Sequence, residues 1–119
     1  MFYLFNQCNS GGYFIVSDKV CHRLFIEADD GEEALQIAEN LGCYWDGVNK
    51  GLDCPCCGDR WYTYYDEIDI NKMKNDGYEV SVCDSIEEYA QYLANTYGRT
   101  SPDARIFYKD GNIKEIFKE

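Results

Sequence analysis

The feature that most constrains this chain is a stretch without periodicity, residues 43–60, built around Cys54-Pro55-Cys56-Cys57-Gly58. It contains three glycines and one proline and follows neither the alternation of a strand nor the period of a helix. A loop of that length is uncommon in a small domain unless something ties it down. The Cys-Pro-x-Cys-Gly pattern supplies a means. Two thiolates separated by two residues converge on one ion. The proline fixes the first dihedral of the turn, and the glycine lets the backbone fold back so that amides face the sulfurs. A metal held there, zinc by ligand type, would pin the loop to its scaffold, so losing it should destabilise the fold.

Tetrahedral zinc needs more ligands than Cys54 and Cys57 provide, and the sequence has no second Cys-x-x-Cys. The remaining candidates are Cys8, Cys21, His22, Cys43, Cys56, Cys83 and carboxylates such as Asp46 or Asp59. Spacing alone does not choose among them. His22, the sole histidine, and Cys43, in the same loop as the knuckle, stand first, although His22 also reads as a core histidine on the inward face of a strand. Cys8 and Cys83 read equally as small apolar residues. Cys-x-x-Cys is also the dithiol spacing of thioredoxin-like proteins. That chemistry asks for a helix directly after the motif, whereas Gly58-Asp59-Arg60-Trp61 leads toward a strand, so metal binding is preferred. No signature supports a nucleophilic pair of a cysteine with His22.

On either side of this loop the patterning is regular. Phe2–Phe5 is a continuous apolar run, as in a strand buried on both faces. Asn9-Ser10-Gly11-Gly12 has turn chemistry, and Tyr13–Val16 is expected to complete a hairpin. Val20, His22, Leu24, Ile26 and Ala28 alternate as the inward set of a further strand. Asp30 caps a helix whose apolar face is Ala34, Ile37, Ala38 and Leu41 and which Gly42 stops in a left-handed conformation. After the loop, strands are expected at Trp61–Tyr65 and Tyr78–Cys83, with a charged connection of no assigned structure over 66–76. Ser85 and Glu88 form a capping box for a helix striped with Ile86, Tyr89, Ala90, Leu93, Ala94 and Tyr97 and ended by Gly98. Arg105–Lys109 and Asn112–Phe117 read as a hairpin joined by a primed turn at Asp110-Gly111. The economical arrangement is one α+β domain over residues 1–119, with a mostly antiparallel sheet, two helices on one face and a long cysteine-containing metal loop.

Charge narrows the function classes. Twenty-two Asp and Glu against eleven Lys and Arg give a formal net charge of -11, which opposes direct binding to nucleic acid, where lysine and arginine must displace condensed counterions. Such a surface either keeps the protein soluble or draws a basic partner. No apolar stretch approaches the length of about 20 residues that spans a bilayer, and residues 1–9 lack the parts of a secretory signal. Cytoplasmic residence is the expectation. An odd count of seven cysteines suits reduced thiols better than a disulfide framework. The aromatic collar of Tyr44, Trp45, Trp61, Tyr62, Tyr64 and Tyr65 around the knuckle reads as packing, any exposed part of it as a partner surface.

Phe-Tyr-Leu-Phe-Asn-Gln at 2–7, Gly11-Gly12, His-Arg-Leu-Phe-Ile-Glu-Ala at 22–28 and Asp-Cys-Pro-Cys-Cys-Gly-Asp-Arg-Trp at 53–61 resemble a family of small proteins of tailed bacteriophages. The resemblance covers most of the chain and brings an origin rather than an activity. It implies a noncatalytic accessory protein that binds a host protein in the host cytoplasm, by counter-defence or by mimicry of nucleic-acid charge. Two alternatives stay open. One is a binder that sequesters a small molecule such as a signalling nucleotide, which would need a pocket near Arg23, Arg60 or Arg99. The other is a thiol or zinc enzyme.

Overall fold

The computed structural model describes residues 1–75 and 83–119. Their elements run β1 (Phe2–Asn6), β2 (Arg23–Glu27), α1 (Gly31–Leu41), β3 (Asp66–Ile68), α2 (Ile70–Asn75), α3 (Ile86–Tyr97), β4 (Ala104–Phe107) and β5 (Ile113–Ile116), with a short 3-10 turn at Ser10–Gly12. The fold is α+β around a five-stranded sheet in the order β3-β1-β2-β4-β5.

Local sequence explains both long helices. Asp30 accepts a hydrogen bond from the Glu33 amide at 2.8 Å, and Gly42, at φ 124°, turns the chain out of α1. Ser85 caps α3 through the Glu88 amide at 3.2 Å, while the Glu88 carboxylate reaches back to the amide of Asp84. The contact faces are built from alanine. Ala34 and Ala38 on α1, and Ala90 and Ala94 on α3, are fully buried, so each helix backbone lies close to the sheet. Tyr97, expected in the α3 stripe, is exposed instead.

The sheet departs from the expectation in two respects. It is mixed, because β2 and β4 run parallel with Arg23 opposite Ala104, while the other pairings are antiparallel. The two helices also cover opposite faces. Tyr3, Phe5, Leu24, Ile26 and Phe107 pack with Ala34 and Ala38, whereas Leu4, Phe25, Ile68, Ala104, Ile106 and Ile116 pack with Ile86, Ala90 and Ala94. Successive strand residues point to alternate faces, so β1, β2 and β4 feed two cores and bury both of their residue sets. Arg23 and Phe25, assigned to the outward face of β2 by alternation, are accordingly buried.

Other expected strands shift. Tyr13–Val16 is not a strand, and β1 pairs with β2 and β3. Trp61–Tyr65 is irregular, and pairing resumes only at β3, inside the charged connection of 66–76. The strand expected over Tyr78–Cys83 falls almost wholly on residues 76–82, outside the described residues. The β4–β5 hairpin forms, but not with a primed turn. The Gly111 amide bonds to the Tyr108 carbonyl, Tyr108 bonds to Asn112, and only Gly111 takes positive φ at 94°, while Asp110 does not. This is the longer hairpin loop with glycine in the left-handed position. Among the described residues no helix is long and apolar enough to cross a membrane.

Candidate functional site

Residues 43–60 carry neither helix nor strand, and the knuckle occupies their outer end. The amides of Cys57 and Gly58 both bond to the Cys54 carbonyl, at 3.2 and 3.1 Å, and Gly58 takes φ 84°. That turn gathers three sulfurs, since the Sγ atoms of Cys54, Cys56 and Cys57 all lie within 4.8 Å of one another. Cys56 and Cys57 are exposed and Cys54 is half-buried. The Cys56 thiol stands 2.9 Å from Cys54 Sγ. This contact, together with the Cys56 and Cys57 amides, holds the Cys54 thiol below its ordinary pKa, and Cys54 in turn raises Cys56. The cluster could hold a metal ion through three sulfurs, leaving one tetrahedral position open to solvent or to a partner.

Cys56, one of several ligands the sequence left open, thus joins the expected Cys54 and Cys57. The structure does not bring His22 or Cys43 to this group. Cys43 lies in the core against α1, where burial pushes its thiol up to about 12. His22 sits across from Asp103, with Nδ1 2.7 Å from the carboxylate and Phe14 edge-on to the ring at 4.9 Å. Asp103 is fully buried. Burial would raise its carboxyl, but the hydrogen bond from His22, the bond from the Arg99 amide and the nearby His22 and Arg23 outweigh that, and the net effect holds it below the usual carboxylate range.

What ties the loop down is Arg60. Its side chain is 2% exposed, and its guanidinium donates to Gln7 Oε1 at 3.1 Å, the Tyr13 carbonyl at 2.7 Å, the Ser10 carbonyl at 2.8 Å and the Tyr44 hydroxyl at 3.3 Å. Asp53 supplies the countercharge at 3.7 Å and accepts the Arg60 amide at 2.7 Å and the Tyr44 hydroxyl at 2.6 Å. Gly47 makes room, because a Cβ there would stand 1.9 Å from the Asp53 carboxylate. Asp59, offered as a ligand by the sequence, instead accepts the Val48 amide. These bonds anchor the segment independently of the cysteines, in addition to any metal that the knuckle holds.

A family model described as Domain of unknown function (DUF7296) matches residues 1–119. The chain belongs to that family. No curated protein and no solved structure matches it, so roles within this family member rest on its own geometry.

Of the cations that the sequence offers for a small-molecule pocket, Arg23, Arg60 and Arg99, the first two are committed inside the protein. Arg23 pairs with Asp103, and Arg60 is spent on the carbonyls above. Arg105 acts alike, bonding Glu115 and the carbonyls of Ser17 and Val20. The aromatic collar divides. Trp61 is buried, Tyr44, Trp45 and Tyr65 back the α1 core, and Tyr62 stacks on Tyr64 with centroids 5.1 Å apart. Tyr64 is 74% exposed and Leu52 61%. The Tyr62 hydroxyl lies beside Gly58, so an apolar surface borders the cysteines.

Proposed function

We propose that this protein is a noncatalytic binding module whose Cys54, Cys56 and Cys57 hold a thiophilic divalent metal, zinc foremost, at the edge of a surface that engages a partner protein. The convergence of the three sulfurs on one exposed turn carries the reading. Soft thiolates favour zinc over oxygen-loving cations. An open fourth position in tetrahedral coordination suits a ligand donated by a partner.

The noncatalytic part rests on what the reactive side chains are doing. His22 and Asp103 are bonded to each other, and Arg23, Arg60 and Arg105 are consumed by buried carboxylates and carbonyls. The acidic surface adds long-range attraction for a basic partner. Membership in an accessory class of phage proteins, the implication of the resemblance above, would make that partner a host protein.

Titration of the reduced full chain with Co(II), followed by zinc competition, tests the metal site. The expected outcome is one thiolate-bound ion per chain, absent in the Cys54→Ser, Cys56→Ser, Cys57→Ser triple variant. Substoichiometric metal, or cysteine alkylation rates that zinc leaves unchanged, would sink the reading.

A further inference from the structure

The segment Tyr13–Val16 joins no strand and lies at the protein surface. Gln7 holds it through Ile15, accepting the Ile15 amide at 2.6 Å and donating to its carbonyl at 2.9 Å. The Tyr13 carbonyl faces inward too, onto Arg60. In extended backbone the amide and carbonyl of one residue point the same way and those of its neighbours point oppositely. Phe14 and Val16 therefore aim their backbone groups outward. No backbone or side-chain group among the described residues bonds to either of them. Tyr13, Ile15 and Val16 are exposed by 59%, 37% and 45%.

A row of β-prone side chains with free outward amides and carbonyls is a template for another strand. Proteins usually blunt such an edge with charge or proline, and Tyr-Phe-Ile-Val has neither. We propose that residues 13–16 form a docking edge for an extended, lysine- or arginine-bearing segment of a partner protein, which adds as a strand by pairing with Phe14 and Val16. This deepens the binding-module reading, and rests on its partner half alone. Two features select the occupant. Backbone groups spaced along an extended segment are satisfied by another extended backbone and not by a helix or a small molecule. The net charge of -11 attracts a basic segment and repels a second copy of the same charge.

The test uses the full ¹⁵N-labelled chain and a synthetic peptide of alternating lysine and valine, with an alternating glutamate and valine peptide and an alternately N-methylated lysine peptide as controls. The expected result is saturable binding of the lysine peptide, slowed exchange of the Phe14 and Val16 amides, and affinity at least about tenfold weaker for both controls. Val16→Pro, which removes one outward donor and suits extended backbone, should weaken binding similarly while leaving the folded spectrum intact. Binding that perturbs only residues 54–58 would overturn the edge and leave the binding-module reading standing. No binding of any peptide would overturn the edge and the partner half of that reading, and would leave the metal site standing. If concentrating the protein alone protects Phe14 and Val16 and doubles the mass, the occupant is a second copy and the proposal fails.

Discussion

Gln7 pairs with Ile15 as one strand residue pairs with another: its side-chain oxygen accepts the Ile15 amide and its nitrogen donates to the Ile15 carbonyl. The same nitrogen also reaches the Cys21 carbonyl at 2.9 Å. One amide side chain thereby takes the place of a backbone partner for Tyr13–Val16, while β1 pairs with β2 and β3. Gln7→Met keeps the length and removes every one of these bonds. With Arg60 also losing an acceptor, the expected loss is about 1–3 kcal/mol, read by urea denaturation at unchanged slope.

Arg60 is the deeper dependence. Arg60→Met would leave the Asp53 carboxylate buried beside no cation and strip the Ser10 and Tyr13 carbonyls of their donor. Breaking a buried pair on one side costs about 3–5 kcal/mol. Arg60→Lys should recover little, because one ammonium cannot reproduce a planar fork that reaches four groups. Denaturation midpoints of the two variants check this, and a midpoint for Arg60→Lys near that of the native chain would refute it.

Much of the fold was legible where a residue type has one job. Asp30, Ser85 and Gly42 marked helix ends by capping chemistry that acts within a few residues, and the structure places them accordingly. Strand direction was not legible, since the alternation in β2 and β4 is the same whether they run parallel or antiparallel. Nor was the face of each helix, because a strand buried on both sides hides which residue set meets which helix. In the site, Cys54 and Cys57 were readable from spacing. The anchoring role of Arg60 was not legible because its partners, Gln7, Ser10, Tyr13, Tyr44 and Asp53, are scattered over the sequence and meet only when β1 and the loop come together. The one available hint was an arginine flanked by Asp59 and Trp61 in an acidic, aromatic stretch.

Asp103 should make the fold acid-sensitive. Its folded pKa lies below the ordinary 3.8 despite burial, through the bonds and charges of His22, Arg99 and Arg23. A depressed carboxylate pKa contributes stability that is fully present above the unfolded value, about pH 4, and is lost as pH falls through the folded value. The native chain should therefore lose stability progressively below about pH 4. Asp103→Asn leaves Arg23 buried without a countercharge, so it should cost about 3–5 kcal/mol at neutral pH and flatten that acid limb. Denaturation series at several pH values decide it, and an Asn variant with the native acid profile would show that other carboxylates set it.

The same logic separates metal from stability, against the first expectation from the sequence. Because Arg60, Asp53 and Gln7 anchor the loop through bonds that use no cysteine sulfur, Cys57→Ser should lose the metal and keep the fold. A second effect acts in the same direction. A ligand stabilises only to the extent that it binds the folded chain better than the unfolded one. Cys54, Cys56 and Cys57 are close neighbours in sequence, so the unfolded chain keeps much of their affinity. Chelation of the zinc-loaded protein should thus cost no more than about 1 kcal/mol, a fall in Tm of about 4 °C. Differential scanning calorimetry with and without a chelator measures this. A fall several times larger would mean that the ion, and not the guanidinium, is what holds residues 43–60 in place.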